Sequence, residues 1–254
     1  MHIPDGFLSA PVWLSLDAAA LSLVGYLARQ AQRESGEAWA PRLGVLGAFV
    51  FAAQMINFPV GVGTSGHLVG SALLALVLGP AAAAVVMTAI LALQALIFQD
   101  GGVLALGANV VNMALAGVLA GYLPFRWWGA GRFRQFAIFL GGFFSVLAAA
   151  LLAIAELRLS GVPIPAPVLW ITLGLFTVTA TLEGIITVAV VRGRDRLGLG
   201  LAPQPGARYA RGLAVVGLAC ALLAVLGGLA ASRHPDVLEK LLERLGLATS
   251  RGSQ

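Results

Sequence analysis

Long apolar runs follow one another down almost the whole chain, each broken by a short stretch rich in Gly, Pro, Arg or Asp. A helix needs roughly 20 apolar residues to cross the hydrocarbon core of a bilayer. On that measure the pattern predicts spans near 8–28, 41–58, 66–79, 80–98, 105–123, 136–157, 165–191 and 211–231. The expected fold class is therefore all-α, a polytopic integral membrane helical bundle. The third span is short and abuts the fourth at Gly79-Pro80, which reads as a tight turn with Pro80 opening the next helix. In an alternative reading 61–79 is partly re-entrant, with Gly61-Val62-Gly63-Thr64-Ser65-Gly66 as irregular backbone at membrane depth. Such backbone is tolerated only where it is buried in protein or lines a cavity.

Composition removes the soluble classes. The chain is 59% hydrophobic and 11% charged, with a mean hydropathy of +0.92, whereas a soluble domain carries about 25% charged residues. A net charge of +5 and a pI near 10.3 would point to nucleic acid in a soluble chain. Here no basic cluster is interleaved with exposed aromatics, and no nucleic-acid partner is expected. The cations are fifteen Arg and one Lys, Lys240, and their placement sets an orientation. Connections 29–42, 124–135 and 192–211 hold eleven of the 16, and the alternate connections hold only Arg158. The positive-inside rule assigns the three basic connections to the cytoplasm. The reading is a multi-pass protein of the plasma (inner) membrane with its N-terminus on the external side. The tail 232–254, external on this count, carries four cations against the rule. No Lys or Arg precedes Arg29, so the charged start of a signal peptide is missing and the first apolar segment is expected to be retained. Cys220 is the single cysteine; it excludes an intrachain disulfide and any CxxC metal site.

With this topology Met1–Gly6, the loop 57–67 and the loop 98–109 gather on one face. Two of the 3 histidines, His2 and His67, lie there. A free α-amine, the amide nitrogen of residue 2 and that residue's imidazole can wrap one ion in fused chelate rings, and His67 can close a four-nitrogen square. Ionisable groups at membrane depth are costly and usually functional. Taken alone, His67 also reads as a helix-start histidine bonded to a backbone carbonyl, and His2 as a polar residue of a loose terminus. Planar nitrogen donors suit Ni(II) or Cu(II), while zinc prefers a tetrahedron. The donors bind only when unprotonated. Reference values of about 7.7–8.0 for an α-amine and about 6.5 for an imidazole make affinity fall with pH.

Other polar residues cluster at the same face. They occur in Gln54-Met55-Ile56-Asn57-Phe58-Pro59 running into Gly61–His67, in Gln94-Ala95-Leu96-Ile97-Phe98-Gln99-Asp100-Gly101-Gly102, and in Gly107-Ala108-Asn109-Val110-Val111-Asn112-Met113. Asp5, Asn57, Ser65, Gln99, Asp100 and Asn109 are the groups able to orient the imidazoles, fixing tautomer and ring position. Asp5 or Asp100 could instead cap a helix, and the Asn and Gln side chains could simply bond between helices. Asp17 and Glu183 lie inside spans; Glu183 reads either as a polar anchor or as a contact to a partner subunit. Gly117 and Gly121 form a GxxxG pattern, and Ala48 and Ala52 a second small-residue face, both signs of close helix packing. Lys240 is followed by Leu241, so the chain has no Walker A site with which to hydrolyse ATP. No HExxH occurs.

Four ordered motifs make the sequence recognisable: Met1-His2-Ile3-Pro4-Asp5-Gly6-Phe7-Leu8, Gly63-Thr64-Ser65-Gly66-His67-Leu68, Phe98-Gln99-Asp100-Gly101-Gly102 and Leu106-Gly107-Ala108-Asn109. Over 1–200 the chain resembles the CbiM/NikM family, the substrate-specific membrane components of energy-coupling factor (ECF) transporters for cobalt and nickel. The resemblance implies a seven-span core with the N-terminal arm tucked into the bundle. It implies Ni(II) or Co(II) as the transported substrate, held by the amine of Met1, the amide and imidazole of His2, and the imidazole of His67. No organic cofactor is implied. The implied partners are a membrane coupling subunit (CbiQ/NikQ-like) and ATPase subunits (CbiO/NikO-like), so the chain itself is not expected to be an enzyme.

Residues 201–254 add one C-terminal span and a tail. His234-Pro235-Asp236-Val237-Leu238-Glu239 resembles the PDGLE segment of a CbiN/NikN-like accessory component, with Val237 where that segment has Gly. His234 beside Pro235 reads as a surface turn rather than a ligand. Leucines at 238, 241, 242 and 245 give amphipathic helical spacing, expected to rest on the bundle or the membrane. The competing function is an autonomous metal ion permease or channel. That would call for a continuous charged pathway inside the membrane, for which only Asp17 and Glu183 are available.

Overall fold

A computed structural model describes residues 1–33, 39–61, 64–196 and 237–246. Its elements are α1 (Ala10–Arg33), α2 (Trp39–Gln54), β1 (Asn57–Gly61), β2 (Thr64–His67), α3 (Ser71–Leu78), α4 (Pro80–Phe98), α5 (Leu106–Trp128), α6 (Arg134–Leu159), α7 (Ala166–Arg196) and α8 (Val237–Arg244). Helices α1, α4, α5, α6 and α7 are each long and apolar enough to cross a membrane, and they coincide with five of the expected spans. The expected span 211–231 lies outside the described residues, as do Val62, Gly63, Cys220 and His234–Asp236.

Two expected spans take a different form. The segment near 41–58 stops being helical at Gln54, and 66–79 yields only the 8-residue α3. At 1.5 Å per residue α3 is about 12 Å long, well short of a hydrocarbon core of about 30 Å. Between them lies an antiparallel hairpin in which Asn57 faces His67 and Phe58 faces Gly66, so the fold is not purely helical. Pro59 has no N–H to give a continuing helix. The hairpin satisfies its backbone groups across the two strands, as buried irregular chain must. What the described residues of 61–79 share with the re-entrant alternative is non-helical chain ahead of a short helix. Gly70 then opens α3 at φ +77°, and a Cβ there would strike Val50 of α2. Pro80 begins α4 at the Gly79 turn, as expected.

The short α3 forms the centre of the bundle. Ser71 to Ala75 are all buried, packed by α4, α5, α6 and α7. Glycines let these helices meet at backbone distance. A Cβ on Gly121 would lie 2.7 Å from Ala72 Cα, and one on Gly142 would lie 2.8 Å from Gly184 Cα. The Gly117/Gly121 pattern therefore packs within the chain. Helix α1 rides outside α4 and α5, with only Ala20 and Ala31 buried. At the far end Arg134 Nη1 meets Asp195 Oδ2 at 2.8 Å, tying the start of α6 to the end of α7.

Candidate metal centre

The first residues fold back into the bundle. Met1, His2 and Ile3 are buried, Ile3 completely. This is unusual for a terminus, which stays loose unless something ties it down. Three contacts do so. Asn109, near the start of α5, pairs with Ile3 in both directions: the Ile3 N–H donates to Asn109 Oδ1 at 2.8 Å, and Asn109 Nδ2 donates to Ile3 O at 3.1 Å. The Gly102 N–H also donates to Ile3 O, at 2.9 Å. Finally, the Asp5 carboxylate accepts from the N–H groups of Val103, Leu104 and Ala105 at 3.0, 2.7 and 3.2 Å. These are donors at the entrance to α5, where a helix has no partners of its own for its first N–H groups. Asp17 of α1 accepts from Gly107 N at 2.7 Å one turn later.

The loop 99–105 is shaped to receive this arm. Gln99 closes α4 in the left-handed region at φ 53°, and Gly101 follows at φ +98°, where a Cβ would sit 3.0 Å from His2 Cβ. Asp100 then faces the His2 ring, whose Nδ1 donates to Oδ1 at 3.2 Å. Partial burial alone would raise the Asp100 carboxyl. The hydrogen bond from His2, with the favourable charge of His2 and the amino terminus, outweighs it and holds Asp100 below the usual carboxylate range.

His67 reaches the same point from the hairpin. Its Nδ1–H donates to Leu68 O at 2.9 Å, leaving Nε2 as the acceptor, and the amino nitrogen of Met1 lies 2.7 Å from Nε2. A backbone carbonyl on one ring nitrogen is the usual way to aim the other at an ion. The two imidazoles are parallel within 2°, their centroids 5.7 Å apart. Among the described residues no three His, Cys, Asp or Glu side chains form a metal-holding group.

The structure thus gathers Met1, His2, His67, Asp5, Asp100 and Asn109 at one end of the bundle. Asn57 and Gln99 line the same cleft, a space of about 630 Å³, without a hydrogen bond to either imidazole among the described residues. Ser65 is fully buried on β2, two residues before His67. The tail helix α8 rests on the bundle, with Val237, Leu238, Leu241 and Leu242 buried. Val237 borders a small gap shared with Met1 and His67, and Glu239 lines the cleft.

Gln54, Gln94 and Glu183 stood out in the sequence as polar residues of apolar runs, but their partners were not legible. Gln54 Nε2 donates to Val69 O at 2.6 Å, and Gln94 Nε2 donates to Gln54 Oε1 at 2.9 Å. Glu183 accepts from Val69 N and Gly70 N, both at 2.8 Å. Deeper in the bundle Asn112 Nδ2 donates to Glu156 Oε2 at 2.8 Å. The signal in each case was a polar residue inside an apolar run; no spacing rule pairs it with a group far away in sequence.

The profile of one family, described as the cobalt uptake substrate-specific transmembrane region, CbiM, matches residues 2–194. The chain belongs to the CbiM family. A relative in Archaeoglobus fulgidus is 39% identical over 200 residues, 75% of this chain, and the chain spans 64% of that relative's length. The fused nickel transport protein NikMN of Rhodobacter capsulatus is 34% identical over 256 aligned residues, covering 91% of this chain and 73% of the relative. The solved structure of a truncated transition metal transporter has a TM-score of 0.68 at 32% identity, covering 77% of this chain and 99% of that one. CbiM membership and the five membrane-length helices among the described residues make this a membrane protein of a metal transport family.

Proposed function

We propose that this CbiM-family chain is the substrate-binding membrane component of an ATP-driven, ECF-type uptake transporter for nickel or cobalt. It captures a divalent ion externally with four nitrogens: the amine of Met1, the amide and imidazole of His2, and the imidazole of His67. The observation that carries the reading is the 2.7 Å approach of the Met1 amine to His67 Nε2. With nitrogen–metal bonds of about 2.0 Å, neighbouring corners of a square lie about 2.8 Å apart. In the fused chelate, amine, amide and His2 Nδ1 take three corners, and the fourth adjoins the amine, where His67 Nε2 stands. The ion then takes the place of the proton on His2 Nδ1, the nitrogen that lies 3.2 Å from the Asp100 carboxylate.

A planar nitrogen field favours Ni(II) over Co(II). The arm delivers two main-chain donors whose position is fixed by Asn109 and Asp5, so the ion meets a preformed set of donors. ATP hydrolysis falls to ATPase subunits acting through a membrane coupling subunit. In this reading residues 1–200 form a metal-binding domain built on the five membrane-length helices α1, α4, α5, α6 and α7, with the N-terminus external. Residues 201–254 add a span and the tail helix that borders the site.

Calorimetry with Ni(II) on the intact, detergent-solubilised protein tests the ligand set. His67→Ala and a variant extended by one residue before Met1 should each bind at least tenfold more weakly, the order expected for loss of a coordinating group or its support. Undiminished affinity in both would sink the terminal-chelate reading.

A further inference from the structure

Glu183 lies in the middle of α7, fully inside the protein, and its partners are main-chain groups of another element. Oε2 accepts from Val69 N and Oε1 from Gly70 N, both at 2.8 Å. These two N–H groups belong to the turn between β2 and α3, which immediately follows His67. The same turn is held from the opposite side by Gln54 of α2, whose Nε2 donates to Val69 O at 2.6 Å. His67 is aimed by the turn itself, because its Nδ1–H donates to Leu68 O.

The rest of the α7 face reinforces this placement. Phe176, Thr179, Ala180, Glu183 and Thr187 are buried in one stripe. Phe176 and Thr179 border the small gap beside Met1 and His67, and a Cβ on Gly66 would lie 2.9 Å from Thr179 Oγ1. Packing alone could set the distance of the hairpin from α7. The paired hydrogen bonds of Glu183 add a rotational constraint, because two neighbouring N–H groups must both point at one carboxyl group. Rotating the Leu68–Gly70 backbone would swing Leu68 O, and with it the His67 ring.

We propose that Glu183 is a positioning residue for metal capture, a two-point clamp on the main chain that fixes the orientation of His67. The inference rests on His67 being a ligand. Glutamine at 183 keeps the shape but turns one acceptor into a donor facing an N–H. Alanine would remove both acceptors and leave a void. Aspartate keeps both oxygens on a shorter arm.

The test is a double-mutant cycle read by Ni(II) calorimetry on the full chain: wild type, Glu183→Gln, His67→Ala and the double variant, with Glu183→Asp as the milder probe. In the wild-type background Glu183→Gln should weaken binding about tenfold or more, and Glu183→Asp by a smaller factor. In the His67→Ala background both should have almost no further effect, because the ring they orient is gone. A purely architectural role would give the same fold-loss in both backgrounds, and that result overturns the proposal, as does unaltered affinity in Glu183→Gln. If Glu183→Gln does not yield folded protein, the same comparison with Glu183→Asp decides. Wild-type affinity in His67→Ala would overturn the ligand reading itself and this inference with it. A large His67→Ala effect with additive Glu183 effects would overturn this inference alone.

Discussion

Asn109 serves Ile3 as a neighbouring strand would, taking its N–H and giving to its carbonyl. Replacing it by Leu leaves the Ile3 N–H buried without that acceptor, a loss of about 1–3 kcal/mol. Asn109→Leu is therefore expected to free the arm, with the amides of His2, Ile3 and Asp5 exchanging hydrogen much faster and Ni(II) affinity falling about tenfold. Unchanged exchange at those amides would contradict this. Asp100 makes a pH-dependent contribution of known sign. Its folded-state value is lowered, so its stabilisation is present above the unfolded value of about 3.9 and is lost as pH falls through the folded value. The stability difference between wild type and Asp100→Asn, read as thermal midpoints of the metal-free protein, should be fully present above about pH 5 and shrink progressively below about pH 4. The carboxylate is half-exposed, so the difference should be modest and reduced by salt. The meeting of His2 and His67 was legible from sequence because so few polar groups compete with them. Glu183 was legible only as costly, since its partners are main-chain N–H groups that every residue but proline carries.

Asp5 links two elements, the arm and α5, by accepting three N–H groups at the helix entrance. Removing a capping acceptor costs about 1 kcal/mol, so Asp5→Ala should lower the thermal midpoint of the metal-free protein by a few degrees. It should also weaken Ni(II) binding, whereas Asp5→Asn, which keeps an acceptor, should sit between Asp5→Ala and wild type. The packing of α6 on α7 depends on Gly142 and Gly184. Gly142→Leu overpacks that crossing by more than a methyl group and should destabilise by about 1–3 kcal/mol, seen as loss of folded protein on heating. The long helices were readable because an apolar run of about 20 residues matches the thickness of a bilayer core. The hairpin and the stub α3 were not. Gly, Ser and Thr between Asn57 and His67 announce irregular backbone, but the strand pairing depends on burial by α7 and α8, which no local pattern records. The helix Val237–Arg244 was legible from its leucine spacing, whereas its seat beside Met1 and His67 depends on tertiary packing.

The molecule places the cleft lined by His2, His67 and Asp100 at one end and its Arg134–Asp195 tie at the other; in the proposed reading the ion is captured on the first face and the partners act on the opposite one. In the proposed division of labour this chain lacks the power stroke. Cells expressing it without coupling and ATPase subunits should therefore accumulate no nickel above background in a radiometal uptake assay; robust uptake there would favour an autonomous permease. The central claim is that the chain's own amino terminus binds the ion. X-ray absorption at the metal edge of the Ni(II)-loaded intact protein addresses it most directly, compared with the variant extended by one residue before Met1. The account predicts four nitrogen neighbours at about 2.0 Å in a plane, and loss of that signature in the extended variant. A six-coordinate shell rich in oxygen, or an identical planar spectrum from the extended variant, would contradict it.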